Sequence, residues 1–140
     1  MVDGMFSVIH GQNVWSLKSI LSRAMTLGEE ERSMVMAVDE SENAEYAFDW
    51  YVKHFHKPET KMYLVHCPET YANVTMMSPG KVQELIKECE KKIKTIQSKY
   101  LSKMKANGIR GEFERLNGER PGHAIIDCAV DKNATFIVTG

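Results

Sequence analysis

From residue 33 onward, short apolar runs alternate along the chain with longer apolar stripes at helical spacing. The runs at residues 34–38, 62–67 and 134–139 are nearly continuous, which predicts strands that are covered on both faces. The run at 109–116 is interleaved with charged residues, so we expect a more exposed strand at an edge of the sheet.

Three apolar stripes, one between each pair of runs, predict helices. Ser41 can cap the first helix, Asn107-Gly108 can end the second in a left-handed conformation, and Pro121 suits the first turn of the third. The stripes consist of Ala44, Ala47, Phe48, Tyr51 and Phe55, widened by Trp50 and Val52; of Val82, Leu85, Ile86, Cys89, Ile93, Ile96, Tyr100, Leu101 and Met104; and of Ile125, Ile126, Ala129 and Val130.

Strict alternation of strands and helices is typical of parallel strands joined by right-handed crossovers. The predicted fold class is therefore α/β, a doubly wound parallel sheet with helices on both faces. Such sheets bind ligands beyond the carboxyl ends of their strands, where the strand order reverses. The candidate site then falls in residues 39–41, 66–68, 117–121 and 139–140.

Residues 1–32 are interpreted as an extension that precedes a domain at 33–140. Val14, Leu17, Ile20, Leu21, Ala24 and Met25 could line one face of a helix in this extension. Asp3 and the lack of an A-x-A cleavage site argue against a secretory signal. A mitochondrial transit peptide is the alternative, because the stretch is rich in serine, but Arg23 is its only arginine before residue 32.

Composition excludes several classes of protein. The chain has 19 acidic and 18 basic residues and a net charge of -1, whereas a nucleic-acid binder needs a strong basic excess. No apolar run is long enough to span a membrane. Its three cysteines, Cys67, Cys89 and Cys128, form no CxxC pair, so neither a disulfide framework nor a zinc ribbon is expected. A reducing, cytoplasmic location fits best.

Asp39 directly follows an apolar run and is the first candidate for chemistry. It can cap the next helix, where a carboxylate meets free backbone amides, or bind a ribose hydroxyl or a cation beside phosphates. His54 and His56 point away from each other on a helix and are expected at the surface. His66 and Cys67 face opposite sides of a strand, so they are poorly placed to chelate one ion.

Motifs of catalysis are missing from the sequence. It contains no G-x-S-x-G elbow, no H-E-x-x-H pair and no complete Walker A loop, so no catalytic residue and no metal site is predicted. The segment 81–105 carries eight lysines against three glutamates. We expect these lysines to form a solvated outer face, with an anion-binding face as the alternative.

Four ordered segments resemble the universal stress protein family. They are MAVDESENAEYAFDW at 36–50, LVHCPE at 64–69, GERP at 118–121 and ATFIVTG at 134–140. The resemblance covers residues 33–140 and implies a parallel sheet of five strands in the order 3-2-1-4-5. It further implies a homodimer, and one branch of the family binds ATP or AMP without a Walker A loop.

Carried over by position, Ala37, Val38 and Asp39 border adenine and ribose, with Ser41 beside them. Backbone atoms near Cys67 recognise the adenine edge. Thr139-Gly140 begins a phosphate loop of the form G-x-x-G, nine residues, then G followed by Ser or Thr, which lets backbone amides approach the phosphates.

The sequence departs from this pattern because it stops at the first glycine of the loop. The rest of the phosphate loop and the fifth strand are missing from it. We therefore expect a chain that ends at Gly140 to aggregate, to unfold in part, or to pair the open edge of its last strand with a second copy.

The resemblance implies a stress-response protein that binds ATP or AMP, with or without Mg²⁺, and hydrolyses ATP slowly at most. The alternative is a dimerisation or interaction module of the same fold that binds no nucleotide. Neither hypothesis involves nucleic acid or a membrane.

Overall fold

A computed structural model describes residues 8–10, 13–15, 31–69 and 74–140. The chain divides into two compact units, Met1–Glu31 and Arg32–Gly140. In the first unit, β1 (Val8–His10) pairs antiparallel with β2 (Asn13–Trp15). Val14 therefore lies in a strand, and the rest of the helical stripe that we predicted here lies outside the described residues.

The second unit alternates strands and helices as predicted. Its elements are β3 (Ser33–Ala37), α1 (Glu42–His54), β4 (Lys61–His66), a 3-10 turn (Val74–Met76), α2 (Pro79–Ala106), β5 (Gly111–Arg115), α3 (Pro121–Asp131) and β6 (Phe136–Val138). No helix among the described residues is long and apolar enough to cross a membrane.

The four strands of this unit form one parallel sheet in the order β5-β4-β3-β6. Met34 of β3 pairs with Met62 of β4 on one side and with Phe136 of β6 on the other. Counted along the domain the order is 3-2-1-4, which confirms the doubly wound arrangement. The exposed strand predicted at 109–116 is β5, and it lies at the edge beyond β4.

The predicted helix ends are present. Ser41 caps α1, since its hydroxyl oxygen accepts a hydrogen bond from the Ala44 N–H at 3.2 Å. Pro121 occupies the first turn of α3. Gly108 follows α2 with φ +64°, a left-handed conformation that glycine adopts without steric cost.

Helices cover both faces of the sheet. On one face, α1 and α2 pack Phe48, Tyr51 and Tyr100 against the even-numbered residues of β3 and β4, which include Met34 and Leu64. On the other face, α3 packs against Val35 and Val65. Because β3 is covered on both sides, residues 33–36 are all buried.

The predicted burial of β6 and α3 was wrong in part. Ile137 is 40% exposed and its two neighbours in β6 are half-buried, because β6 pairs only with β3 among the described strands. Val130 is 72% exposed and Ile126 is also exposed. The turn of α3 that faces the sheet carries Cys128 and Ala129 instead.

Burial also differs along α1 and α2. The buried residues of the α2 stripe all lie in its second half and are Ile93, Ile96, Tyr100 and Met104, whereas Ile86 in its first half is 56% exposed. The exposed apolar side chains of the two helices outside the core are Trp50, Ile86 and Leu101 together with Tyr46. The helical spacing of apolar residues therefore predicts each helix correctly, but it overestimates how many of these residues are buried against the sheet.

His56 and the lysines of α2 were both predicted to be solvated at the surface, and the structure differs in each case. His56 lies beyond the end of α1 and is half-buried, with Nδ1 3.2 Å from the Tyr51 hydroxyl. The α2 lysines are not uniformly solvated, because two of them, Lys99 and Lys103, pair with acidic residues of α1. Lys103 contacts both Glu45 and Asp49, the latter at 2.8 Å.

Candidate functional site

The carboxyl ends of β3 and β4 meet the start of α3 and the end of the chain in one small cleft of about 160 Å³, which we call the switch cleft. It lies where the chain order reverses, since β3 is flanked by β4 and by β6. Six of the residues predicted from sequence line it: Ala37, Val38, Asp39, Cys67, Thr139 and Gly140.

Ser41, the seventh predicted residue, does not line the switch cleft. It caps α1 and holds Asp39, whose Oδ1 accepts hydrogen bonds from the Ser41 N–H at 2.8 Å and from the Ser41 hydroxyl. The hydroxyl bond is the main cause that lowers the pKa of Asp39; the backbone N–H and nearby His66 act in the same direction, and partial burial opposes them. Asp39 therefore stays a carboxylate, an acceptor suited to hydroxyl groups.

His66 ends the pairing of β3 with β4. The Val38 N–H still donates to the Val65 carbonyl at 2.9 Å. In a continuing parallel ladder the Val38 carbonyl would next accept from the Cys67 N–H. Instead it lies 2.8 Å from Nδ1 of the His66 ring. A carbonyl oxygen only accepts, so Nδ1 carries the proton and donates.

Cys67 consequently presents its main chain to the cleft. Its N–H and C=O make no hydrogen bond to any other described residue. The thiol points the other way, toward the Gly118 carbonyl, with Sγ 4.0 Å from that oxygen. The backbone, rather than the sulfur, is thus the polar feature that Cys67 offers to a ligand.

Gly140 brings the end of the chain against the first turn of α1. A Cβ built at this residue would lie 2.5 Å from the Asn43 carbonyl oxygen and 2.8 Å from Cα of Ala44. Only glycine permits this approach without a shift of the backbone. The close contact holds Thr139 and Gly140 at the rim of the switch cleft.

A second cleft of about 180 Å³, the α2 cleft, lies between the same strand ends and helix α2. It shares Asp39, His66 and Cys67 with the switch cleft and adds Cys89 and Lys92 from α2. The two clefts therefore meet at the Asp39–His66 pair. No group of three acidic, histidine or cysteine side chains in the described part of the chain could hold a metal ion.

The start of α3 lines the switch cleft through Pro121 and Ile125. Arg120 at the N-cap provides no side-chain cap, and the first turn has no acidic residue. The backbone amides at this end are thus open to an anion.

Sequence reasoning placed His66 in the candidate segment 66–68 but weighed its side chain only as a metal ligand. It missed Ile125, which it assigned to the core. The sequence did place His66 at the end of a strand, next to Cys67. At such a position the imidazole ring can donate the hydrogen bond that a backbone N–H would otherwise donate to the neighbouring strand.

Comparisons with known proteins agree with the fold described above. A model of the universal stress protein family matches residues 31–140. A search of curated protein sequences finds no significant match.

Several solved structures share the fold. One is a universal stress protein family protein from Arabidopsis thaliana with AMP bound, at 17% identity and TM-score 0.61, which covers 78% of this chain and 76% of that one. A universal stress protein from Archaeoglobus fulgidus is 24% identical with TM-score 0.59, over 83% and 79% of the two chains. A universal stress protein in complex with cAMP is 19% identical with TM-score 0.56, over 76% and 74%. By the family match over most of its length, the chain belongs to the universal stress protein family.

Proposed function

We propose that this chain binds an adenine nucleotide, AMP or ATP, in the switch cleft and acts in a stress response. The observation that carries the proposal is the convergence of residues 37–39, 67 and 139–140, three separate segments, on one cleft at the reversal of strand order. The AMP-bound and cAMP-bound relatives, which share the fold, support an adenine ligand.

The chemistry of each segment matches a part of the nucleotide. The main chain of Cys67, which has no hydrogen-bond partner among the described residues, supplies one donor and one acceptor for the adenine edge. The ionised Asp39 accepts from ribose hydroxyls. Thr139 and Gly140, with the open N-terminus of α3, offer backbone amides toward the phosphate.

The cleft is smaller than a typical pocket for a drug-sized ligand, which has a volume of about 300–1,000 Å³. It therefore suits the base and ribose, with phosphates at the rim. Mg²⁺ enters the proposal only as an ion carried by ATP phosphates, since the described residues form no metal-binding group. We propose that the chain hydrolyses ATP slowly at most. We further propose a cytoplasmic location and treat residues 1–32 as an extension outside the binding domain.

The experiment is a calorimetric titration of the purified 140-residue chain with AMP, ATP and GMP. It is accompanied by mass spectrometry of small molecules released from the protein. Saturable binding of AMP or ATP that exceeds GMP binding supports the proposal. No adenine nucleotide in the released fraction and no heat with AMP or ATP would refute it.

A second candidate function is that of an interaction module, and the exposed apolar side chains favour it. Ile126 and Val130 are exposed one turn apart on the same helix, α3, and Ile137 is exposed on β6. Apolar side chains that are exposed next to one another mark protein interfaces, as for the pair on α3. This function predicts self-association with no nucleotide bound, and a homodimer is compatible with both candidates.

A further inference from the structure

We propose that His66 selects the nucleobase, by accepting a hydrogen bond from an exocyclic amino group through Nε2. The inference rests on the nucleotide site proposed above. It adds a specificity-determining residue to that site and does not alter the location of the site.

The first step is the proton on the ring. Because Nδ1 keeps its proton and donates it in a hydrogen bond to the Val38 carbonyl, a neutral His66 has a lone pair and no proton on Nε2. No described residue forms a hydrogen bond with Nε2. The ring lines both the switch cleft and the α2 cleft, so this acceptor is available to a ligand.

The second step is the neighbouring donor. The same His66–Val38 bond leaves the Cys67 N–H without a ladder partner. The strand end therefore offers an N–H donor at Cys67 beside an acceptor at His66. Adenine carries the complementary pair on its Watson–Crick edge, a ring-nitrogen acceptor beside an amino donor. A 6-oxo purine carries the opposite pair and would leave both protein groups unsatisfied.

The test compares the affinities of AMP and IMP, which differ at the 6-position and share the ribose phosphate. His66→Asn is the informative variant, because its amide can still donate to the Val38 carbonyl but has nothing at the position of Nε2. The matched control is His54→Asn, which makes the same change on the exposed face of α1. Binding is measured by calorimetry at pH 7.5.

For the parent chain and the His54→Asn control, we expect AMP to bind more tightly than IMP, because both the Cys67 N–H and His66 favour adenine. For His66→Asn we expect the ratio of the two affinities to fall about fivefold to tenfold, the effect of one hydrogen bond, while the preference due to the Cys67 N–H remains. AMP binding with an unchanged ratio in His66→Asn would overturn the role of His66 and leave the site standing. Absence of AMP binding to the parent chain would overturn both.

Discussion

Gly140 and Asn43 are in backbone contact, with only 2.5 Å between the Asn43 carbonyl oxygen and the place where a Cβ of residue 140 would be. This contact joins the segment after β6 to the helix that follows β3. It thereby sets the width of the switch cleft between the two segments.

Gly140→Ala should weaken AMP binding by about tenfold, the equivalent of one lost hydrogen bond. The added methyl group must push residues 139–140 away from α1, because its nearest contacts are backbone atoms that cannot rotate away. Calorimetry with AMP measures the loss. The control is Gly80→Ala in α2, whose added methyl group would meet no atom within 4 Å. Equal affinity of Gly140→Ala and the parent would show that the ligand does not use this contact.

Asp39→Ala should lower the affinity for adenine nucleotides about 5- to 150-fold, which corresponds to roughly 1–3 kcal/mol for a lost hydrogen bond to a charged group. Asp39→Asn is the matched variant, since it keeps an oxygen that can accept from Ser41 and from a ribose hydroxyl. We expect an intermediate affinity for it. Parallel melting curves show whether loss of the Ser41 contacts affects folding. Identical titration curves for Asp39→Ala and the parent would remove Asp39 from the site.

Cys67 should act through its main chain. Cys67→Ala and Cys67→Val keep the N–H and C=O and should retain most of the AMP affinity. Cys67→Pro removes the N–H and should abolish binding. Because Cys67 lies just after β4 and its N–H has no ladder partner, the proline variant should still fold, which a melting curve checks. Loss of binding in a folded Cys67→Ala variant would reveal a direct role of the thiol.

The features that could be predicted from sequence are local ones. Ser41, Pro121 and Gly108 lie at helix ends because their side chains or φ angles suit those positions, and neighbouring residues alone reveal this. The run at 34–38 is continuous because β3 is covered on both faces, so its central place could also be predicted.

Features that depend on distant neighbours were missed. The run at 134–139 resembles the central strand in composition, yet Ile137 is exposed because a second partner strand is needed to bury it. The role of His66 depends on the Val38 carbonyl, which is 28 residues away in the chain. The spacing of apolar residues along the chain therefore predicts neither the exposure of Ile137 nor the contact between His66 and Val38.

His56 should make the fold less stable in mild acid. Burial lowers the pKa of His56, which Glu59 opposes only in part, so the folded state favours the neutral ring. The unfolded chain binds the proton near pH 6.5. The stabilisation is therefore complete above about pH 6.5 and is lost as the pH falls toward the lower folded pKa.

The measurement is the melting temperature between pH 7.5 and 5.0. His56→Phe, which cannot titrate, should lose less stability over this range than the parent. Tyr51→Phe removes the hydroxyl near Nδ1 but leaves the ring buried, so it should keep the parent's pH dependence. If His56→Phe and the parent lose the same stability on acidification, His56 does not titrate in folding.

The outer edge of β6 should mediate self-association of the 140-residue chain. Among the described strands β6 pairs only with β3, so its other side presents free N–H and C=O groups, and no side chain at 136–138 is charged. Such an edge adds strands from other chains unless a charge blocks it. We expect the parent to elute as a dimer or larger species in size-exclusion chromatography with light scattering.

Ile137→Lys, which places a charge on the edge, should weaken the association at least about tenfold. Ile86→Lys makes the same change at an exposed position of α2 and should have no effect. A monomeric parent, or equal effects of the two lysine variants, would show that β6 is not the interface.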